Sequence, residues 1–103
     1  MYRIFTTEEF DKDFAKLDGS LKKQIEKAIG SLKDNPYSGK PLGYEYFREK
    51  KIRNYRIYYL VYEEKVIVFI VALSDKKDQQ KTIDLIKEFI PSYMEEIKKI
   101  SMP

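Results

Sequence analysis

The sequence predicts an α+β fold, in which a helical hairpin packs on a small antiparallel sheet in the order β-α-α-β-β-β and a C-terminal helix follows. Apolar residues recur with helical spacing in residues 10–17 and 21–32, and only a short Asp-Gly connection separates the two stretches. Three segments rich in Tyr, Ile and Val follow in residues 46–73, each bounded by turn-forming or charged residues. The chain is predicted to form one domain, residues 1–103, in which residues from about 84 to 103 are a C-terminal helical extension.

The first third of the chain is predicted to be a strand followed by the helical hairpin. Tyr2–Phe5 has the pattern of a short strand. Thr6 is predicted to cap the first helix, because Glu9 follows three residues later and would complete a capping box. This helix should run to about Leu17, and Ser20 should cap the second helix.

The middle of the chain is predicted to be a loop and three antiparallel strands. Residues 33–41 contain two prolines and read as a loop. Tyr46–Ile52 and Tyr55–Tyr62 are predicted strands joined by a tight two-residue connection, and Val66–Leu73 is a near-continuous apolar run typical of a central strand buried on both faces. In the last region, Pro91 is predicted to break or bend the helix.

The absences in the composition exclude several classes of site. The chain has no His and no Cys, so it has no Cys/His zinc site, no disulfide and no imidazole- or thiol-based nucleophile system. The lack of Cys is typical of a cytoplasmic protein. No apolar run approaches the roughly 18 residues that a membrane span requires. We therefore expect no metal, no cofactor and no membrane partner, and any chemistry would depend on Lys, Arg, Tyr, Asp and Glu.

The segment Lys40–Arg56 concentrates positive charge. It contains six Lys or Arg and two Glu, so it carries about +4, whereas the whole chain carries +3. Four aromatic residues are interleaved with the cations: Tyr44, Tyr46, Phe47 and Tyr55. Cations with interleaved aromatic rings are typical of surfaces that hold a phosphate backbone and stack on bases. The segment therefore predicts a nucleic-acid interface.

The same segment and the strands after it resemble the RelE/ParE superfamily of type II toxin–antitoxin toxins. The resemblance is carried by Lys40–Gly43, Phe47–Ile52, Tyr55–Tyr59 and Val66–Ala72, and it covers roughly residues 2 to 80. The Tyr-Arg-aliphatic-x-Tyr element that opens the third predicted strand is its most characteristic piece. The following Ser74–Gln80 resembles an archaeal RelE-like branch of the group.

The resemblance implies a toxin held by a cognate antitoxin protein. RelE-like members cleave mRNA in the ribosomal A site, and ParE-like members inhibit DNA gyrase. The first hypothesis is therefore a ribosome-associated mRNA endoribonuclease that acts without metal. The alternatives are a ParE-like gyrase inhibitor, a toxin that does not cleave, and a nucleic-acid-binding module without catalysis.

The resemblance also implies roles for particular residues. Arg56 corresponds to the strand arginine that clamps phosphate. Lys51, with Lys50 as its neighbour, fits the hairpin lysines that act on the attacking hydroxyl, and Lys76 lies where the family's second arginine is found. Further substrate-binding candidates are Lys40, Arg48, Arg53 and Tyr55. Glu49 departs from the pattern, since it alternates onto the same face as Lys51 at a position that is commonly basic.

Structural interpretations of the same residues remain open at this point. Arg56 could pair with Glu63, Glu64 or an acid of the terminal helix. The lysines Lys50 and Lys51 could be edge-strand charges that prevent aggregation. The tyrosines of the predicted strands could be core residues, as strand tyrosines commonly are. They are Tyr58, Tyr59 and Tyr62.

Overall fold

The computed structural model describes residues 1–101 and contains a five-stranded sheet with helices on both faces. The elements are β1 (Arg3–Thr6), α1 (Glu8–Ala15), α2 (Gly19–Ser31), β2 (Lys40–Tyr44), β3 (Phe47–Ile52), β4 (Tyr55–Tyr62), β5 (Ile67–Asp75) and α3 (Gln79–Ser101). The strand order is β1-β5-β4-β3-β2, with β1 parallel to β5 and the other neighbours antiparallel. The predicted α+β class and the order of the predicted elements are confirmed. Residues 102 and 103 of the predicted C-terminal extension lie outside the described residues.

Two hydrophobic cores lie on opposite faces of the sheet. The helical hairpin α1–α2 covers one face and α3 covers the other. Tyr58 and Tyr59 are both fully buried but belong to different cores, because neighbouring residues of a strand point to opposite faces. In β5, Val68 and Phe69 are divided in the same way, which confirms that this apolar run is a central strand. No helix in residues 1–101 is both long and apolar enough to cross a membrane.

The first helix begins one residue later than predicted. Thr7 is the N-cap, and its hydroxyl accepts a hydrogen bond from the backbone N–H of Phe10 at 3.1 Å. Thr6 is wrong as a cap because it remains in β1, opposite Ile70 of β5. Its hydroxyl instead donates to Asp11 at 2.7 Å. Strand pairing, which the local sequence does not reveal, therefore decides where the helix starts.

The second helix is also capped by a residue other than the predicted one. Asp18 is the N-cap, and its carboxylate accepts from the backbone N–H of Leu21 at 2.8 Å. Ser20, the predicted cap, lies inside the helix. A carboxylate is favoured at this end because it also interacts with the positive end of the helix dipole.

Strand β2, Lys40–Tyr44, was not predicted: its first two residues were assigned to the proline-containing loop of residues 33–41, and the rest to no element. It pairs with β3 at the edge of the sheet, and its register shifts between Pro41 and Tyr44. Proline is tolerated on an edge strand because its missing N–H need not join the ladder. Gly43 lies within the irregularity with a φ of 91°, a conformation that glycine adopts readily.

Pro91 was predicted to break or bend the last helix, and a break is wrong, since α3 continues through Pro91 from Gln79 to Ser101. Ile86 and Ile97 lie on either side of Pro91 and are 2% and 0% exposed against the sheet. Packing on both sides holds the helix in place, which offsets the cost of one lost backbone hydrogen bond.

A strained backbone position before β5 gives a stability prediction. Val66 has φ 56° and ψ 46°, a left-handed conformation that costs a β-branched residue about 1–2 kcal/mol. The side chain is 42% exposed, so it contributes little burial. We expect Val66→Asn to raise the free energy of unfolding by about 1 kcal/mol, because Asn tolerates this conformation. Urea denaturation measures the change in the free energy of unfolding. Val66→Ala, which keeps a Cβ but has no side-chain amide, should raise this free energy by less than Val66→Asn does. A free energy of unfolding that is unchanged or lower in Val66→Asn would contradict the inference that Val66 is strained.

Candidate functional site

A cleft of about 570 Å³ lies beside the edge of the sheet, where the loop before β2, strands β3 and β4, and the first residue of α3 meet. It is lined by Ser38, Gly39, Lys40, Glu49, Lys50, Lys51, Arg56 and Gln79. Four of these side chains are cationic and one is a carboxylate. The cleft is therefore the place where the charge of the basic segment converges.

A buried ion pair lies in the cleft. Glu49 and Lys51 alternate along β3, and Lys51 is directly opposite Arg56 of β4, so all three lie on the face that α3 covers. The Arg56 Nε atom is 3.5 Å from Glu49 Oε2, and both side chains are 8% exposed. Arg56 thus has an acidic partner, as the structural interpretation expected, but the partner is Glu49 and not Glu63, Glu64 or an acid of α3.

Gln79 fixes the position of the Glu49 carboxylate. Its side-chain Nε2 donates to both carboxylate oxygens, at 2.9 and 3.0 Å. Gln79 is the first residue of α3, so the start of this helix is tied directly to strand β3. The carboxylate is therefore held on the floor of the cleft from two sides.

Two N–H-bearing nitrogen atoms of the Arg56 guanidinium donate no hydrogen bond to any described residue. Within the described part of the chain, its Nε and Nη1 atoms are buried and have no hydrogen-bond acceptor. Buried donors without acceptors are uncommon, because each costs about 1–3 kcal/mol. An anionic group bound beside Arg56 would supply acceptors for donors of this kind.

The lysines form the rim of the cleft. Lys40 and Lys51 are exposed. Lys50 points to the other face of β3, yet its ammonium donates to the Ser38 hydroxyl at 2.9 Å and so remains at the rim. A rim of ammonium groups around a buried guanidinium suits a polyanionic ligand.

Arg48 is separate from the cleft and supports the loop that forms its wall. It is buried, and its guanidinium donates to the backbone carbonyls of Gly39 at 3.0 Å and Glu45 at 2.7 Å. It also lies 5.2 Å from the ring centroid of Tyr37. Burial and a hydrogen bond to Glu63 raise the pKa of Tyr37 to about 12, so this hydroxyl remains a donor at neutral pH.

The remaining sequence candidates lie elsewhere. Arg53 and Tyr55 line a different depression, of about 290 Å³, together with Leu17 and Asp18 at the α1–α2 connection. Lys76 is exposed after β5, and its backbone N–H donates to the carbonyl of Asn54 at 3.2 Å. The structure therefore brings Lys40, Lys50, Lys51 and Arg56 together and leaves these three outside the cleft.

The strand tyrosines pack in the cores, as the structural interpretation expected. Tyr58 and Tyr59 are 0% exposed, and Tyr62 is half-buried. The Tyr58 hydroxyl lies 2.7 Å from the Ser74 hydroxyl, and burial raises the pKa of Tyr58. The Tyr59 hydroxyl donates to the Pro36 carbonyl at 2.7 Å.

Sequence reasoning missed two features of the cleft. Glu49 was noted only as a departure from the basic pattern, although its alternation with Lys51 already placed the two on one face. No sequence pattern indicated that Gln79 belongs to the site, because an amide residue near the start of a helix is common. The described residues 1–101 include no group of three or more His, Cys, Asp or Glu arranged to hold a metal ion.

Comparison with known proteins identifies the family. The family model for the ParE toxin of the type II toxin–antitoxin system parDE matches residues 4–80. The chain belongs to this toxin family. No curated protein sequence matches it significantly. The match to the ParE toxin model ends where α3 begins.

Solved structures place the toxin with RelE proteins as well. A chain of the intact E. coli RelBE toxin–antitoxin complex is 26% identical, with a TM-score of 0.67, over 73% of this chain and 96% of that one. The Mycobacterium tuberculosis RelBE2 complex gives 26% identity and a TM-score of 0.64, over 73% and 91%. The archaeal RelE–RelB complex from Pyrococcus horikoshii shares the fold, with 17% identity and a TM-score of 0.65 over 73% and 94%. The resemblance to the RelE/ParE superfamily is confirmed.

Proposed function

We propose that this toxin cleaves mRNA on the ribosome without a metal ion and is neutralised by a cognate antitoxin. The observation that carries the proposal is the Glu49–Arg56 pair in a cleft rimmed by Lys40, Lys50 and Lys51. The antitoxin is supported by those structural relatives that were solved as toxin–antitoxin complexes, among them E. coli RelBE and RelBE2 of Mycobacterium tuberculosis. Ribosomes also imply action in the cytoplasm.

Cleavage of RNA without metal begins with removal of a proton from a 2′-hydroxyl. A carboxylate group can accept this proton, whereas an ammonium group has no free electron pair with which to accept it. The family resemblance implied Lys51 or Lys50 for this step. The geometry favours Glu49, because its carboxylate is fixed by Gln79 and lies beside the phosphate-binding arginine.

The remaining steps require positive charge and an acid. Arg56 would hold the scissile phosphate and stabilise the charge that develops on its oxygens. Attack by the 2′-oxygen forms a new P–O bond and breaks the bond from phosphorus to the 5′-oxygen. Lys51, directly opposite Arg56, would give a proton to that 5′-oxygen. The products are a 2′,3′-cyclic phosphate and a 5′-hydroxyl.

A second candidate is inhibition of DNA gyrase, which the resemblance implies for ParE-like members. The match to the ParE toxin model favours it. The two candidates differ in the fate of mRNA. Expression without antitoxin should arrest growth and leave mRNA cut, with 5′-hydroxyl ends on the downstream fragments. Growth arrest with intact mRNA and elongated, SOS-induced cells would instead support gyrase as the target.

RNA binding by the cleft gives a salt-dependence prediction. The logarithm of RNA affinity should fall linearly with the logarithm of salt concentration, with a slope of about −0.7 per phosphate contacted. Lys40→Ala should make the slope shallower by about 0.7, because one rim cation is lost. Fluorescence anisotropy with a short single-stranded RNA measures the slope. Lys27→Ala, an exposed lysine on α2, is the matched control and should leave it unchanged. Equal effects of the two variants would contradict a phosphate site at the cleft.

A further inference from the structure

The four aromatic residues of the basic segment lie in different parts of the fold. Phe47 is fully buried, and Tyr55 lines the depression at the α1–α2 connection. Tyr44 and Tyr46 remain 45% and 37% exposed. Their rings stack on each other, with centroids 5.1 Å apart and an angle of 20° between the planes. Nothing in the proposed cleavage chemistry uses this stacked pair, so its exposure needs an explanation of its own.

The stacked pair lies on the same face of the sheet as the Arg56 cleft. Tyr44 is directly opposite Phe47, whose side chain belongs to the core under α3, so Tyr44 points to that face as well. Lys40 is opposite Glu49 and lines the cleft. Lys40 and Tyr44 are the two ends of β2, so they lie no more than about 13 Å apart. This distance is the length of about four stacked nucleotides, so one RNA strand can reach from the cleft to the pair.

A lysine of α3 lies between the cleft and the stacked pair. Lys87 is exposed, and a Cβ at Gly43 of β2 would be 3.3 Å from its Nζ atom, so its ammonium lies against the edge strand. Among the described residues, no carboxylate forms an ion pair with Lys87. Lys40 and Lys87 therefore extend the positive charge of the cleft along β2. Cations that lead to aromatic rings are the arrangement with which proteins hold single-stranded nucleic acid.

The stacked pair adjoins an apolar pocket of about 440 Å³. Tyr46 lines this pocket together with Val61 and Tyr62 of β4 and with Ile90 and Met94 of α3. The charged residues in its lining carry a net charge of −1, and they are Glu63, Glu64 and Lys65. Apolar walls and a net negative charge disfavour a phosphate group and suit an uncharged, flat base.

The Tyr62 side chain lacks a hydrogen-bond partner. Its hydroxyl oxygen is buried and has no partner among the described residues. Burial raises the pKa of Tyr62, and the nearby Tyr46 hydroxyl raises it further, so the group stays protonated and can donate. Buried donors without acceptors are uncommon. The edge of a base bound in the pocket would supply an acceptor.

We propose that Tyr44 and Tyr46 bind an unpaired RNA base beside the nucleotides held in the Arg56 cleft, an inference that rests on the proposed function. The base would stack on Tyr46 from the side of the pocket, which extends the stack that Tyr44 begins, and would accept a hydrogen bond from Tyr62. The phosphates between this base and the cleft would pass Lys87. The two rings thus fix the register of the RNA strand in the cleft.

The test separates stacking on bases from contacts with the RNA backbone. Fluorescence anisotropy measures the affinity of the full-length protein for a short single-stranded RNA and for a ribose-phosphate strand of the same length without bases. We expect Tyr44→Ala with Tyr46→Ala to weaken binding of the intact RNA about tenfold or more, and to change binding of the strand without bases by less than about twofold. Lys87→Ala should weaken binding of both strands alike, because it acts on phosphate.

Two further variants are the matched controls. Tyr44→Phe with Tyr46→Phe keeps both rings and should bind intact RNA within about twofold of the wild type. Phe89→Ala removes a ring of α3 that is 46% exposed but does not line this pocket, and it should leave both affinities unchanged.

A fluorescent base reports where on the RNA the stacking occurs. 2-Aminopurine, placed at each position of the RNA in turn, should lose fluorescence on binding at one position, because stacking quenches it. Tyr44→Ala with Tyr46→Ala should restore the fluorescence at that position. Quenching that persists in this double variant would overturn the tyrosine pair as the stacking surface.

The outcomes distinguish the base-binding site from the function on which it rests. An affinity for intact RNA that the double alanine variant leaves unchanged overturns the site, as does equal weakening for the two strands, because the tyrosines would then act through the fold. If the wild type does not bind RNA in solution, the site is overturned, and cut mRNA in cells would leave the proposed function standing. The expected affinities in a toxin that leaves mRNA uncut would support the site and overturn cleavage.

Discussion

Arg56→Ala is expected to abolish growth arrest and to lower mRNA cleavage on ribosomes by about 100-fold or more. Among the described residues, Arg56 is the only arginine that lines the cleft, and in the proposed mechanism its guanidinium stabilises the charge that develops on the scissile phosphate. Cleavage is measured as the rate at which 5′-hydroxyl fragments appear from a translated mRNA. Arg3→Ala removes an exposed arginine on β1, at the opposite edge of the sheet, and should retain wild-type activity.

A loss of activity in Arg56→Ala must be separated from a loss of folding. Removing Arg56 leaves the Glu49 carboxylate buried without its cation, which lowers the free energy of unfolding by about 3 kcal/mol. Replacing both partners, as Arg56→Met with Glu49→Leu, should restore most of that stability, because an apolar pair of similar volume has no charge to solvate. The double variant should nevertheless remain inactive. Full toxicity in a folded Arg56→Ala protein would show that this cleft is not the active site.

Gly39→Ala is expected to lower the free energy of unfolding by about 3 kcal/mol. A Cβ at this position would clash with the backbone carbonyl oxygen of Glu49 and would lie 2.6 Å from the Tyr59 hydroxyl. The Gly39 N–H also donates to that hydroxyl at 3.0 Å, so any shift of the loop breaks a buried hydrogen bond. Urea denaturation followed by circular dichroism measures the change.

Gly30→Ala is the matched control for this substitution. A Cβ at Gly30 would meet nothing within 4 Å. Because Gly30 lies in α2, alanine there should stabilise the protein, by up to about 1 kcal/mol. Equal effects of the two substitutions would mean that the close approach at Gly39 is relieved by movement of the loop. Since Gly39 lines the cleft, we also expect its alanine variant to bind RNA less well.

The helices and the three long strands were predictable because their apolar residues follow helical or strand periodicity. The short edge strand β2 was not, since Pro41 and Gly43 are turn-forming residues by local criteria and only pairing with β3 makes them part of the sheet. The helix start at Thr7 was misplaced for the same reason, because pairing with β5 keeps Thr6 extended. Pro91 was judged by its local effect, whereas packing against the sheet keeps α3 continuous.

The sequence by itself determined the class of fold, the family resemblance and the identity of the basic segment. Those properties follow from periodicity, composition and short motifs, which are local. Only the tertiary structure decided which cations meet: Lys40, Lys50, Lys51 and Arg56 line one cleft, while Arg48 is enclosed in a supporting loop. It also decided that Arg56 pairs with Glu49, seven positions away in sequence and held there by Gln79. Strand register and the docking of α3 set these contacts, and both depend on residues far apart in the chain.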